Sequence, residues 1–373
     1  MKIYKNTIAI LVLILISLNT ALAQKIIKLD FNENNWDVTA DKFQFLNHKG
    51  KPALYLEKGT ALLKNVTFKN GIIDYDVSFE QGRKFAMFQF RISDSKNYEE
   101  FYLRAHQSGN PDAMQYTPVF NGVSGWQLYH GKGYSNAYHF NFKEWMHVRL
   151  VIIEDKMDVY INDMSQPILQ AHDLKRDPIT GLVGFKAMLG GAYYANLTYQ
   201  ETDNIKLISK SPVIPDLEKK VITNWSVSTV FNKESLKSIS SLRDLKNYKN
   251  ITWNSIKSEY DGKLNLARAA KKSKKNNTVF VKTIVTSKKR QIKQLKFGFS
   301  DEVSVFVNNK KVYSGQNKFR SRDYRYLGTI GFFDAIYLDL KKGKNEIVFA
   351  VSENMGGWGL KAKLGNLENF ILE

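Results

Sequence analysis

Short runs of alternating apolar and polar residues fill most of the first 210 positions. In residues 86–92, the even positions carry Ala, Phe, Phe and Ile, and the odd positions carry Met, Gln and Arg. Successive side chains of a β-strand point to opposite faces, so this run predicts a strand with one buried face. Similar runs, bounded by Gly, Asn and Asp, include PALYLEKG, GIIDYDVSFEQG and WMHVRLVIIEDKMDVYIND. No window of helical size shows a 3.6-residue period, and the pattern predicts an all-β sandwich or jelly roll.

The segment from Tyr98 to Tyr129 has the most unusual polar face. Between positions 98 and 106, one parity carries Phe101, Leu103 and Ala105. The other parity carries five large polar side chains: Tyr98, Glu100, Tyr102, Arg104 and His106. We therefore expect one face to be core and the other to bind a polar ligand with flat apolar faces, as a sugar has.

The same segment and the preceding strand supply the side-chain types that sugars require. Aromatic rings stack on the C–H faces of pyranose rings, whereas Arg, Gln and Asn bind hydroxyl groups. The candidate binding residues are Arg91, Tyr98, Tyr102, Arg104, His106, Gln115, Asn121, Trp126 and Tyr129. The alternative for Trp126, and for the neighbouring Tyr116, is that the ring fills the core.

A second β-rich region follows a break at residues 211–220, SPVIPDLEKK, which has two prolines and a charge cluster. Strand patterns resume in KQLKFGFSDEVSVFVNNKKVYSG and in AIYLDLKKGKNEIVFAV. We expect residues 24–210 and 221–373 to form two β-sandwich domains in tandem, joined by this linker.

The first 23 residues are typical of a secretory signal peptide. Lys2 and Lys5 precede the apolar run 8–18, and Ala21-Leu22-Ala23 supplies a cleavage site before Gln24. The run is short for a transmembrane helix, and no later segment is long enough to span. We expect an exported protein, periplasmic or secreted, without a transmembrane anchor.

Charge is distributed unevenly in a chain with a net charge of +19 and no cysteine. From Ser211 to the end there are 31 Lys and Arg against 15 Asp and Glu, whereas residues 24–210 hold 22 against 21. The lysines of the second half either solubilise it or attract an acidic polysaccharide or cell envelope, and export argues against nucleic acid. The absence of cysteine excludes disulfides, thiolate metal sites and a Cys nucleophile.

Two families share motifs with the chain. GIIDYDVSF, the strand with Phe88, Phe90 and Arg91, and WMHVRLVIIEDKMDVYIND resemble the concanavalin A-like or laminin-G-like jelly roll over residues 27–208. FGFSDEVSVFVNNKKVYSG and the later Gly357-Trp358-Gly359-Leu360 resemble the galactose-binding-like sandwich over residues 221–372. Both resemblances imply a carbohydrate-related role, but each family includes binders, enzymes and adhesion modules, so the fold alone does not assign an activity.

The carboxylates give weaker support for catalysis. Glycosidases need two carboxyl groups at a defined separation. Asp74, Asp76 and Glu80 share a parity, but they also fit a solvated strand face. Glu100, Tyr102, Arg104 and His106 could instead support a lyase, with Tyr or His as base and Arg neutralising a uronate.

No cofactor is expected, and the six histidines lack zinc-site spacing. The resemblances allow a structural calcium ion, for which the candidate ligands are Asp301, Glu302, Asp323 and Asp334. The leading hypothesis is a non-catalytic protein that binds a polysaccharide or other glycan, with the basic second half favouring anionic ones. The alternatives are a glycoside hydrolase or polysaccharide lyase acting on the same face, and an adhesion or scaffold protein. The sequence leaves the oligomeric state open.

Overall fold

The computed structural model describes residues 26–208, 210, 217–246, 248–321 and 327–372. Within these ranges there are 24 β-strands, five short 3₁₀ helices and no α-helix. The strands are β1 (Ile27–Lys28), β2 (Trp36–His48), β3 (Lys51–Phe68), β4 (Gly71–Ser78), β5 (Phe85–Asp94), β6 (Asn97–Arg104), β7 (Met114–Phe120), β8 (Val123–Ser124), β9 (Ser135–Asn136), β10 (Met146–Ile153), β11 (Lys156–Ile161), β12 (Leu169–Ala171), β13 (Gly181–Glu201), β14 (Asn224–Ser228), β15 (Trp253–Lys257), β16 (Leu264–Asn265), β17 (Thr278–Ser287), β18 (Gln291–Ser300), β19 (Glu302–Val307), β20 (Lys310–Gln316), β21 (Asp334–Leu340), β22 (Gly343–Ser352), β23 (Gly359–Leu364) and β24 (Phe370–Leu372). The 3₁₀ helices are Ala105–Gln107, Lys233–Leu236, Leu242–Asp244, Tyr248–Asn250 and Leu266–Arg268.

Three long strands, β2, β3 and β13, build the first sandwich by passing from one layer to the other. The first half of β13 pairs with β5, and its second half pairs with β4, while β3 follows β13 along both halves. A register break after Ala187 and left-handed backbone at Lys58 and Leu189 mark the bend. The front sheet therefore has the order β13-β5-β6-β7-β8, and the back sheet has the order β13-β4-β10-β11-β12.

Aromatic residues fill the space between these two sheets. Tyr75 of the back sheet stacks on Phe88 of the front sheet, with ring centroids 5.4 Å apart. Phe185 contacts both rings and stacks on Tyr194 at 4.1 Å. Burying such large rings supplies much of the stability of a chain without disulfides.

The second sandwich has one larger and one smaller sheet. The larger sheet has the order β15-β14-β17-β22-β19-β20, with β24 pairing β17, and the smaller has the order β16-β23-β18-β21. Phe297 of the smaller sheet packs on Phe349 of the larger one at 5.6 Å, and Trp358 is fully buried beside them. A hairpin turn at Asn308-Asn309 joins β19 to β20, and both residues are left-handed, as such turns require.

The two sandwiches contact each other through the loop that follows β8. Gln127 donates to the Leu327 carbonyl, and Lys263 donates to the Leu128 carbonyl at 3.0 Å. Glu259 accepts from the Tyr129 hydroxyl and pairs with Lys175 at 2.8 Å. The loop carrying Trp126 is therefore held by groups from both halves of the chain.

The predicted all-β class, with jelly-roll sandwiches, is confirmed. Strands β1–β13 pair among themselves and strands β14–β24 pair among themselves, although the domain limits 24–210 and 221–373 stay predictions. The signal peptide and most of the linker 211–220 lie outside the described residues. None of the helices in the described ranges has the length and hydropathy to cross a membrane.

Candidate functional site

Strand β6 divides its side chains as the alternation predicts. Phe101, Leu103 and Ala105 lie in the core between the two sheets. Side chains of opposite character lie on the other face of the front sheet, where all of them except Lys186 are buried. This surface, called the polar face below, consists of Met87, Gln89, Tyr98, Glu100, Tyr102, Arg104, Gln115, Thr117 and Lys186. The strand register aligns them, because residues directly opposite each other in antiparallel strands share a face.

Arg104 is the centre of a hydrogen-bond network on this face. Its Nη2 donates to the Tyr102 hydroxyl and to Gln115 Oε1, both at 3.0 Å, and its Nη1 pairs with Asp112. The Tyr102 hydroxyl donates in turn to Gln115 Oε1 at 2.9 Å. Gln115 Nε2 donates to the Trp126 carbonyl at 2.9 Å. The guanidinium is therefore fixed in position, and its buried Nε has no partner among the described residues.

A second, smaller network lies further along the face. Lys186 Nζ donates to the Tyr98 hydroxyl at 3.0 Å and lies 3.4 Å from Glu100 Oε2. Burial lowers the pKa of Lys186, but Glu100 and Tyr98 more than offset this effect and raise it overall. Lys186 is thus a fixed cation on the front sheet.

Three aromatic side chains form a rim around Arg104. Its guanidinium carbon lies 5.4 Å from the Trp126 ring and 5.7 Å from the Phe85 ring, distances typical of cation–π contacts. His106 packs edge-on against Phe85 at 5.1 Å. Phe319, from the second sandwich, contacts Trp126 edge-on at 6.1 Å.

His106 is a neutral imidazole at neutral pH. Burial and the nearby Arg104 charge lower its pKa. In the described part of the chain, its buried Nδ1 has no hydrogen-bond partner. His106 Nδ1 and Arg104 Nε are thus two buried nitrogens that have no hydrogen-bond partner in the described residues.

The structure brings most of the predicted site residues together. Tyr98, Glu100, Tyr102, Arg104 and Gln115 share the polar face, with His106 and Trp126 at its rim. Asn121 instead donates to the Ala267 carbonyl in the second sandwich at 2.8 Å, which leaves it at the contact between the sandwiches.

Arg91 and Tyr129, two of the predicted ligand contacts, lie outside the polar face. Arg91 is fully buried on the core side, where it pairs with Glu99 at 3.2 Å. Tyr129 is also fully buried, and its hydroxyl donates to Glu259. Tyr116 fills the core, as its alternative interpretation held, and donates to Glu99 at 2.6 Å.

Sequence reasoning missed Lys186, Asp112, Phe85 and Phe319. Lys186 lies opposite Met87 across β13 and β5, so its position on the polar face depends on a pairing between residues about 100 positions apart. Phe85 could have been found, because it shares the parity of Met87 and Gln89. Asp112 and Phe319 lie in loops, where alternation carries no information.

The acidic run on β4 forms ion pairs on the outer surface of the back sheet. His147 bridges the two carboxylates, with Nδ1 2.8 Å from Asp76 and Nε2 3.0 Å from Asp74. Asp74 also accepts from Arg149 at 2.7 Å, and Asp76 accepts from Lys51 at 2.7 Å. Cationic side chains already pair with the carboxylates of Asp74 and Asp76, and Glu80 lies beyond the end of β4. The run fits a charged strand face better than a catalytic pair.

This network makes His147 a sensitive probe of the back sheet. Hydrogen bonds to Asp74 and Asp76 raise its pKa to about 9. Because the pKa in the folded state exceeds the usual 6.5, protonated His147 stabilises the fold fully below about pH 6.5. This contribution is lost as the pH rises through about 9.

An NMR titration tests this assignment. We expect the His147 pKa to be near 9 in the unmodified protein. Asp76→Asn should lower this pKa, whereas Asp163→Asn, at an exposed position, should leave it unchanged. A value near 6.5 in the unmodified protein would contradict the assignment.

The carboxylates considered for calcium have other partners. Asp301 accepts from the backbone N–H groups of Asn354 and Met355, at 2.7 and 2.9 Å. Glu302 pairs with Lys233 and Lys318. Asp334 accepts from the Tyr313 hydroxyl, and Asp323 lies outside the described residues. No group of three or more His, Asp or Glu side chains in the described ranges could hold a metal ion.

Comparisons with known proteins give structural neighbours only. No protein-family model matches the chain, and no curated protein does. A carbohydrate-binding module of family 66 from Bacillus subtilis is 14% identical, covers 45% of this chain and 96% of its own, and has a TM-score of 0.37. A β-glucanase from Bacillus licheniformis is 12% identical, with coverages of 46% and 94% and a TM-score of 0.34. A putative glycosyl hydrolase from Parabacteroides distasonis is 12% identical, with coverages of 47% and 90% and the same TM-score. Each is similar to slightly less than half of this chain.

Proposed function

We propose that the protein binds a polysaccharide non-catalytically through the polar face of the front sheet. The observation that carries this proposal is the fixed network around Arg104, surrounded by the rings of Trp126, Phe85 and His106. A preorganised network can exchange hydrogen bonds with hydroxyl groups at little entropic cost, because its side chains are already held. We further propose that the protein is exported and that its second half is a galactose-binding-like sandwich, as the sequence pattern indicates.

The chemistry of this face suits a sugar more than an apolar ligand. A pyranose presents hydroxyl groups that both donate and accept. The face holds donors on Arg104 and Lys186 and acceptors on Glu100 and Gln115, and of these four side chains only Lys186 is not buried. A sugar would therefore contact the network from the rim. Half-buried Trp126 presents part of an aromatic surface at the edge of this set. Rings in such positions stack on the C–H faces of sugars.

The carboxylates on this face argue against hydrolysis. A glycosidase needs one carboxyl group that stays protonated and a second one at a defined separation. The two carboxylates that contact the described polar face are Glu100, on β6, and Asp112, in the loop before β7. Glu100 pairs with Lys186, and Asp112 pairs with Arg104. Each carboxylate is already paired with a cation, so the two do not form the free carboxyl pair that a glycosidase uses.

A second candidate, a polysaccharide lyase, is favoured by the state of His106. Its lowered pKa keeps the imidazole neutral, its Nδ1 is unused, and Arg104 lies close enough to influence it. A lyase needs such a base and a cation for the uronate carboxylate. Tyr98 and Tyr102 serve less well as bases, because burial raises the pKa of each phenol.

The binding proposal is tested with two tryptophans of similar exposure on opposite sheets. Trp126 is at the rim of the polar face, whereas Trp145 is on the back-sheet side, against His48 and Lys51. On a glycan array followed by calorimetry, we expect Trp126→Ala to weaken binding by about tenfold or more, as losing a stacked ring does. Trp145→Ala should leave the affinity unchanged.

Four other outcomes would overturn the proposal. Loss of binding in Trp145→Ala but not in Trp126→Ala would move the site to the back sheet. A glycan-dependent rise in ultraviolet absorbance that is abolished by His106→Gln would assign a lyase, and release of reducing ends would assign a hydrolase. Binding to no glycan at all would favour the adhesion alternative.

A further inference from the structure

The outer face of the smaller sheet in the second sandwich combines exposed rings with lysines. In β18, Gln294 and Lys296 point outward, between the core residues Leu295 and Phe297. The register aligns Gln294 with Tyr337, Lys296 with Lys363, and Gly298 with Lys361. Because opposed residues share a face, these side chains form one surface, called the basic face below.

This face carries unusually exposed apolar side chains. Tyr337 is 71% exposed, Ile292 is 68% exposed and Phe333 is 56% exposed. Tyr337 and Ile292 project from adjacent strands, and the Tyr337 hydroxyl accepts from Gln294 at 3.3 Å. Clustered exposed apolar groups, unlike scattered ones, mark interaction surfaces.

The segment Ile330–Phe333 lies directly across the basic face. A Cβ on Gly298 would lie 1.7 Å from the Gly331 carbonyl oxygen, so only glycine at position 298 lets this segment approach. Phe332 is held there by two cations, with the Nζ atoms of Lys361 and Lys363 at 4.5 and 4.6 Å from its ring centroid. The rings and the lysines are therefore parts of one packed arrangement.

The charge of this face is only partly neutralised. Lys363 pairs with Glu218 at 3.1 Å, and Lys263 pairs with Asp261 at 2.9 Å. Among the described residues, no carboxylate lies within ion-pairing distance of Lys296 or Lys361. Burial lowers the pKa of Lys361; the Asp261 and Glu218 carboxylates oppose this effect, and the ammonium groups of Lys263 and Lys363 add to it. A bound anion would relieve this repulsion.

We propose that the basic face is a second binding surface, separate from the polar face, for a polysaccharide bearing carboxylate or sulfate groups. Sugar rings would stack on Tyr337 and Phe333, while the anionic substituents would contact Lys296 and Lys361. The combination of rings and cations favours this class, because an acidic glycan offers C–H faces and negative charge on the same repeating unit.

The experiment compares two double variants with the same change in charge. Lys296→Gln with Lys361→Gln alters the basic face, whereas Lys274→Gln with Lys275→Gln alters the exposed lysine-rich loop. The probes are alginate as the polycarboxylate, dextran sulfate as the polysulfate and unmodified dextran as the neutral polymer. Calorimetry at low and at high ionic strength gives the affinities, since screening by salt identifies the charge contribution.

We expect the basic-face variant to bind the anionic polymers about tenfold more weakly or worse, and the loop variant to change less than about twofold. Tyr337→Ala should also weaken binding, and should do so at high salt as well. Equal losses of affinity in the two double variants would show that binding depends on net charge alone, and this result would overturn the proposal. Absence of anionic-polymer binding in the unmodified protein would also overturn it.

Two controls separate this surface from its alternatives. Trp145→Ala, which alters neither face, should leave anionic-polymer binding intact, and the basic-face variant should keep any affinity for neutral glycans, so failure of the polar-face proposal can be told apart from failure of this one. Binding to vesicles containing anionic lipid, lost in the basic-face variant while both anionic polymers fail to bind, would assign the face to a membrane surface and overturn the proposal.

Discussion

Replacing Arg91 with alanine should destabilise the protein by about 3–5 kcal/mol, the range for breaking a buried ion pair from one side. Arg91 and Glu99 are both fully buried, and they are 3.2 Å apart. Arg91 also donates to the carbonyls of Lys69 and Glu154, both at 2.8 Å, and to Asn70 Oδ1 at 3.0 Å. The substitution leaves an unpaired carboxylate and three acceptors inside the sandwich.

Urea unfolding at pH 7 measures this loss, and Arg290→Ala is its matched control. Arg290 also pairs with a carboxylate, Asp339, at 2.9 Å, but the two side chains are 77% and 61% exposed. Exposed pairs contribute about 0–1 kcal/mol, so the control should remain close to the unmodified protein. A similarly small loss of stability in both variants would show that the charge of the Glu99 carboxylate is neutralised in another way, for example by protonation.

Arg91 also shows where alternation stops predicting the structure. Residues 85–90 alternate as expected, with Phe88 and Phe90 in the core and Gln89 outside. At Arg91 the backbone is left-handed, with φ of 48°, and the β5–β6 register shifts before Asp94. One irregular residue reverses the faces that follow, because the side-chain period of a strand is two. Nothing in the letters around position 91 signals this bulge.

The polar face shows what alternation does predict. The division between Phe101 and Tyr102 requires only that β6 be a strand in a sandwich, and it is confirmed. The partners of these residues depend on chain topology. Lys186 reaches Glu100 from a strand about 86 positions later, and Phe319 reaches Trp126 from the second sandwich. Tyr129 matched the expected composition of a sugar site, but its hydroxyl is used by Glu259, 130 positions away. Local sequence cannot distinguish a ring at a binding surface from one at a contact between sandwiches.

Glu353 is the second group whose change should have a large effect. It is buried at the base of the loop that leads to Trp358, with Lys272 Nζ 3.5 Å from Oε1. Oε2 has no partner within the described residues, and Oε1 accepts only a long hydrogen bond, 3.3 Å, from the Gly357 N–H. Burial, followed by the nearby Asp301 carboxylate, raises the Glu353 pKa to about 8. The folded protein therefore holds a proton that the unfolded chain, with an ordinary Glu pKa near 4.5, releases.

The sign of the pH dependence follows from this difference. Between about pH 4.5 and pH 8 the folded state binds more protons than the unfolded state, so this group makes the protein less stable as the pH rises. Above about pH 8 the full penalty of a buried carboxylate applies. One pKa unit corresponds to about 1.4 kcal/mol, so the penalty amounts to a few kcal/mol.

Glu353→Gln should therefore stabilise the protein at pH 9 and change little at pH 5. The glutamine keeps the size of the side chain and an oxygen that can accept from Gly357, but it carries no charge in either state. Thermal unfolding at both pH values tests this expectation against Glu368→Gln, which neutralises an exposed carboxylate and corrects for the change in net charge. The melting temperature of Glu353→Gln should exceed that of the unmodified protein at pH 9 by more than the control does. If it fell at pH 9 instead, the ion pair with Lys272 would outweigh the burial penalty, and Glu353 would be ionised in the native protein.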